Sequence, residues 1–211
     1  MTFEKKHYRY FGLSLLVIVI DQITKLLVHN YMDYGIVGQI KIFGDWFKLH
    51  YTLNPGMAFG IELGSEYGKL MLTSFRLLAM FGIGYYLYTL IEKKITKAYI
   101  ICIALILGGA MGNLFDSLFY GVLLNNAPEG SPFPLFHGQV IDMLYIDIWE
   151  GFLPEWIPLF GGQYYAFWPI FNIADATIFS SITTLLIFQH RWMKEETAQS
   201  EEEKLKVRED F

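Results

Sequence analysis

A single cysteine in 211 residues, Cys102, rules out an intramolecular disulfide, and its place inside an apolar run makes it a small buried hydrophobe. Thiol redox catalysis and a thiolate metal site fall with it. The five histidines (His7, His29, His50, His137 and His190) are scattered without the i, i+4 spacing of a helical metal pair, so no metal and no cofactor is expected. Lys and Arg are missing from residues 98–190, where the acids Asp116, Glu129, Asp142, Asp147, Glu150, Glu155 and Asp175 stand instead. That stretch reads as membrane-embedded or exported, and no nucleic-acid partner is expected. No small-x-small cleavage site follows the basic start (Lys5, Lys6, Arg9) and its apolar run, so the N-terminus reads as a span rather than a removable leader.

What the chain has in abundance is apolar surface: 54% of its residues are hydrophobic and 18% aromatic, too apolar for an ordinary soluble domain. The pattern predicts an all-α integral membrane protein with four transmembrane helices. The first runs from Tyr10 through Asp21 and Lys25 into Val28; the others cover residues 70–91, 98–118 and 169–188. Between them lie a small exported β-rich segment at about residues 30–69 and an exported, aromatic, interfacial insertion at about 119–168. Residues 1–190 form one four-helix membrane domain in this reading, and 191–211 a charged, solvated tail. Basic clusters before span one, between spans two and three, and after span four place both termini in the cytoplasm of a multi-pass protein.

Polar residues inside the spans carry the chemistry. Between Trp168 and Phe188 the only charge is Asp175, and a lone Asp in hydrocarbon costs about 2.5–3.5 kcal/mol, so it needs a partner or a task. Asn172 lies three residues before it, on the same face of a continuous helix. Asp21 and Lys25, at i and i+4, read first as a structural ion pair. Arg76 is placed to snorkel or to meet a carboxylate. Gly108 and Gly112 have the small-xxx-small spacing of closely packed membrane helices, and Asn113 with Asp116 repeats the Asn–Asp pair. Asp116, Asp142 and Asp175 are thus three carboxylates at the outer rim. Two carboxylates held together share a proton, and such a dyad activates water for peptide hydrolysis. Spacing alone does not select the pair. A proton-coupled small membrane transporter and a membrane assembly factor are the competing classes, the first opposed by the lack of an inverted repeat.

Five blocks resemble the lipoprotein signal peptidase (signal peptidase II) family, membrane aspartyl proteases. They are Asp21-Gln22-x-x-Lys25, Asn54-x-Gly56-x-Ala58-Phe59, Gly108-Gly109-Ala110-x-Gly112-Asn113-x-x-Asp116, Val140-Ile141-Asp142 and Phe171-Asn172-x-Ala174-Asp175. The resemblance implies an aspartic endopeptidase of the bacterial cytoplasmic (inner) membrane that removes signal peptides from diacylglyceryl-modified prolipoproteins, a monomer surrounded by lipid. It implies Asp142 and Asp175 as the catalytic dyad. Asp21, Lys25, Asn54, Gly56, Asn113, Asp116, Asn172 and Ala174 are implied to shape the site or bind substrate. Ser117 stands where the family pattern carries Arg, which leaves Asp116 to seek donors such as Ser117 or backbone amides, and the segment between Asp142 and Asp175 is long for the family.

Overall fold

The computed structural model describes residues 5–55, 67–93, 95–158, 160–166 and 169–209, and of 165, 166 and 193–209 the backbone only. Its long helices are α1 (Lys5–Tyr31), α2 (Gly68–Glu92), α3 (Lys97–Leu123) and α4 (Ile173–Glu209). Among the described residues the first three are long and apolar enough to cross a membrane. The expected fourth span differs from its sequence reading at both ends. Residues 169–172 are not helical, because Phe171 pairs with Leu144 and exchanges backbone hydrogen bonds with it. At the other end the helix runs on to Glu209 through a stretch expected to be a solvated tail, which is rich in the strong helix formers Glu, Lys, Gln and Ala.

The chain divides into two compact units. The first, helical unit takes residues 5–20 of α1, 72–93 of α2, 95–114 and 174–209. Its core is Leu87, Leu90 and Ile91 of α2 against Ile100, Ile103, Ala104 and Leu107 of α3. Exposed apolar side chains such as Leu15, Leu16, Phe75, Leu78 and Phe81 cover the outer faces of α1 and α2, as expected of helices solvated by lipid. Ser14 of α1 donates its hydroxyl hydrogen to the Ala104 carbonyl at 2.7 Å, a polar contact that suits helices packed without a hydrophobic driving force. The glycines explain that approach. A Cβ on Gly108 would stand 2.7 Å from the Ser14 carbonyl oxygen, and one on Gly109 would stand 2.6 Å from that of Ala174 in α4. Adjacent glycines thus receive two different helices, one more than the Gly108/Gly112 spacing predicts.

The second unit takes residues 21–55, 67–71, 115–158, 160–166 and 169–173. Strands β1 (Ile40–Phe43), β2 (Phe47–Asn54) and β3 (Val140–Ile146) form an antiparallel sheet in the order β1-β2-β3. The hairpin was legible from alternation, but its third strand comes from the segment expected to be an insertion. Burial explains this: Val140, Ile141, Asp142 and Met143 are all buried, with Ile141 and Met143 packing against Val28, Tyr51 and Tyr120. At Asp116–Tyr120 α3 widens into a π-helical turn. Carbonyls there are taken by the returning loop, with Phe136 N–H donating to Leu118 and Gly138 N–H to Ser117, both at 3.0 Å. Gly138 fits because any Cβ would lie 2.1 Å from the Asp116 carbonyl oxygen. The remainder of the former insertion is a second hairpin, β4 (Glu150–Phe152) with β5 (Tyr164–Ala166).

Candidate active site

Three polar constellations hold the site residues. The first, in the sheet-bearing unit, is centred on Lys25, which is fully buried. Its ammonium lies 2.7 Å from Asp21 Oδ2 and 2.7 Å from Asp116 Oδ2. The i, i+4 pair is therefore half of a three-ion cluster. Gln22 completes it, donating to Asp21 Oδ2 at 3.2 Å and to Asp116 Oδ1 at 2.8 Å, while Tyr120 donates its hydroxyl to Gln22 Oε1 at 2.9 Å. Asp116 also accepts the Ile141 N–H at 3.4 Å. The carboxylate that lacks the family Arg is satisfied by a Lys from α1, a partner the sequence reading did not name. Buried charges of both signs in hydrogen-bonding contact answer the desolvation that each would otherwise suffer.

The second constellation surrounds Asp142 on β3. Asn54, the last residue of β2, donates its amide to Asp142 Oδ2 at 3.0 Å, and Asn172 donates to Oδ1 at 2.7 Å. Asp142 is 1% exposed, and both of these partners are neutral amides. Antiparallel register delivers Asn54, because β2 pairs Asn54 with Val140, Leu53 with Ile141 and Thr52 with Asp142. Asn172 is delivered by the short bridge of Phe171 to Leu144, which is why it stands just before α4 rather than sharing a helical face with Asp175. One further support leaves no signature in residue spacing. Asn126 and Gln139 clasp each other through three hydrogen bonds of 2.8–3.0 Å and fix the loop that leads into β3.

The third lies in the helical unit. Asn113 of α3 donates its amide to Asp175 Oδ1 at 2.7 Å, and Arg76 of α2 interacts electrostatically with the same carboxylate. Asp175 has an opposite charge and an amide to answer its place in the first turn of α4. Ala174 beside it is fully buried against Gly109. Gly56, with Ala58 and Phe59 of the same block, lies outside the described residues. At the end of β3 away from Asp142, the Tyr145 hydroxyl donates to Glu150 at 3.2 Å. Burial and the neighbouring acids Asp147 and Glu150 push its pKa up to about 12.

Apolar helices and buried, amide-lined carboxylates are compatible with a membrane hydrolase of the acid–base type. The family model for signal peptidase (SPase) II matches residues 13–191, and the chain belongs to that family of membrane aspartic peptidases. It is 48% identical over 184 residues to a protein of Amoebophilus asiaticus named lipoprotein signal peptidase, covering 87% of this chain and 78% of that one. A protein of the same name in Porphyromonas gingivalis is 40% identical over 187 residues, covering 83% and 80%. Two solved bacterial membrane enzymes share the fold. One has a TM-score of 0.56 at 21% identity over 87% of this chain and 88% of its own, the other 0.54 at 24% over 85% and 90%.

Proposed function

We propose that this bacterial membrane protease cleaves the signal peptide from diacylglyceryl-modified prolipoproteins at the outer face of the cytoplasmic membrane, and that Asp142 and Asp175 activate the attacking water. The ionised carboxylate of the pair takes a proton from water as its oxygen bonds to the scissile carbonyl carbon. The protonated carboxyl gives its proton to the carbonyl oxygen. Collapse of the resulting diol breaks the C–N bond, the proton taken from water passes to the departing amine, and the carbonyl proton returns to the dyad. α4 is the fourth span in this reading, both termini are cytoplasmic, and the protein acts as a monomer.

The observation that carries the assignment is the environment of Asp142: buried, held at both oxygens by neutral amides, in a block that lies inside the family match. Two amide donors hold this carboxyl group in a fixed orientation, as an acid–base role demands. Asn172, one of its two anchors, stands three residues before Asp175 in the chain. Purified protein should cleave a lipid-modified precursor in detergent and leave the same precursor without its diacylglyceryl group largely intact. Equal cleavage of the two would refute the lipid requirement and point to a general intramembrane protease.

A further inference from the structure

The β4–β5 hairpin takes no part in the constellations above, and its surface is unusual. Phe152 is 72% and Trp156 80% exposed, with Ile148, Trp149, Phe160 and Tyr164 also open. Its backbone is closed on itself. Glu150, Gly151 and Phe152 pair with Ala166, Tyr165 and Tyr164. In the connecting loop Leu153 N–H donates to Gln163, Gly162 to Leu153, Ile157 to Pro154 and Gly161 to Ile157, at 2.9–3.1 Å. Gly161 permits that tight path, since a Cβ there would stand 2.5 Å from the Glu155 carbonyl oxygen. The tip therefore offers aromatic rings while several of its backbone N–H groups find partners inside the loop, a combination that suits a place where water is scarce.

We infer that this hairpin is a membrane-interface anchor whose aromatic tip inserts into the headgroup layer of the outer leaflet and takes electrically neutral lipid. Three observations favour lipid over a protein partner. Trp and Tyr are the residues enriched at the membrane–water boundary. The hairpin is tethered close to the bilayer: α4 begins seven positions after Ala166, so the base of β5 lies within about 25 Å of the start of that helix. This step rests on the proposal that α4 enters the membrane at that end. Charge is the third. Residues 147–166 hold Asp147, Glu150 and Glu155 and no Lys or Arg, so nothing in the hairpin attracts an anionic headgroup, and the Arg enriched at protein interfaces is missing.

The test uses the full chain in phosphatidylcholine nanodiscs with brominated acyl chains, keeping Trp156 as the one tryptophan and replacing the other four by Phe. Trp156 should emit to the blue, lose most of its emission to the bromolipid and resist aqueous iodide. Exchanging half the lipid for phosphatidylglycerol should leave the quenching equal or weaker; stronger quenching overturns the neutral-lipid preference. A companion protein carrying Ile182→Trp on α4 as its only tryptophan separates the two readings. Quenching there without quenching at Trp156 sinks the anchor alone, and no quenching at either position sinks the fourth span as well. Concentration-dependent protection of Trp156 in lipid-free detergent would mark a contact between copies and overturn the lipid assignment.

Discussion

Asp116 and Asp142 are equally buried, 0% and 1% exposed, and both belong to the sheet-bearing unit, yet their surroundings differ in kind. Asp116 faces an ammonium at 2.7 Å together with an amide and a backbone N–H. Asp142 has two amides from Asn54 and Asn172. A carboxylate paired with a buried lysine serves the architecture, because the opposite charges answer each other's loss of water. Asp142 is oriented by two amide donors, the arrangement on which its proposed acid–base role rests. Burial alone separates nothing here; the ammonium beside Asp116 and the amides on Asp142 do.

The largest effect expected from this contrast is on turnover. Asp142→Asn, and equally Asp175→Asn, should lower cleavage of a lipidated precursor by about 10²–10⁴-fold while the protein still folds and expresses, because an amide keeps the shape but cannot move the proton. Robust activity in Asp142→Asn with none in Asp116→Asn would invert the comparison and make α3 the donor of the second carboxylate. Next comes stability. Lys25→Met leaves Asp21 and Asp116 buried without their cation and should cost about 3–5 kcal/mol, read as a large fall in the melting temperature of the detergent-solubilised protein. An unchanged melting point would mean that charge pairing is not what holds Asp116. Asp116→Asn is milder: it keeps the Gln22 contact and leaves Lys25 with Asp21, for a loss of about 1–3 kcal/mol and a partial fall in activity. Its kcat should fall less than that of Asp142→Asn at equal folded fraction.

The smallest effect lies at the sheet. Burial, helped by Lys48, holds the His50 pKa below its ordinary value, so the folded state binds fewer protons there than the unfolded chain. The sign follows: stability is unaffected well above pH ~6.5 and declines as pH drops through that value. His50→Gln should flatten this decline in a thermal-melt pH series without touching activity. A steeper decline would show that His50 gains rather than loses protons on folding.

Local spacing made much of this visible. Asp21 and Lys25 could be paired because helical periodicity joins positions four apart, and the hairpin around Gly44 could be read from alternation. Spacing was silent about partners brought together by the fold. Lys25 reaches Asp116 across 91 positions, and β3 joins β2 from nearly as far, so each depends on tertiary closure. Asn172 was read on the wrong element because the apolar run conceals where pairing with β3 ends and helix begins. Nothing in the composition announced the Asn126–Gln139 clasp, since amide side chains that imitate a backbone pair leave no pattern.

The widened turn at Asp116–Tyr120 acts as an angular offset within α3. In a uniform α-helix, Asp116 and Tyr120 would point within about 40° of one another. A residue taken up by the wider turn rotates whatever follows by about a further 100° relative to what precedes it. Here the carboxylate that opens the turn meets Lys25, while the hydroxyl of Tyr120 that closes it donates to Gln22 Oε1. Removing a residue from the turn would swing Tyr120 away from Gln22 without changing either side chain.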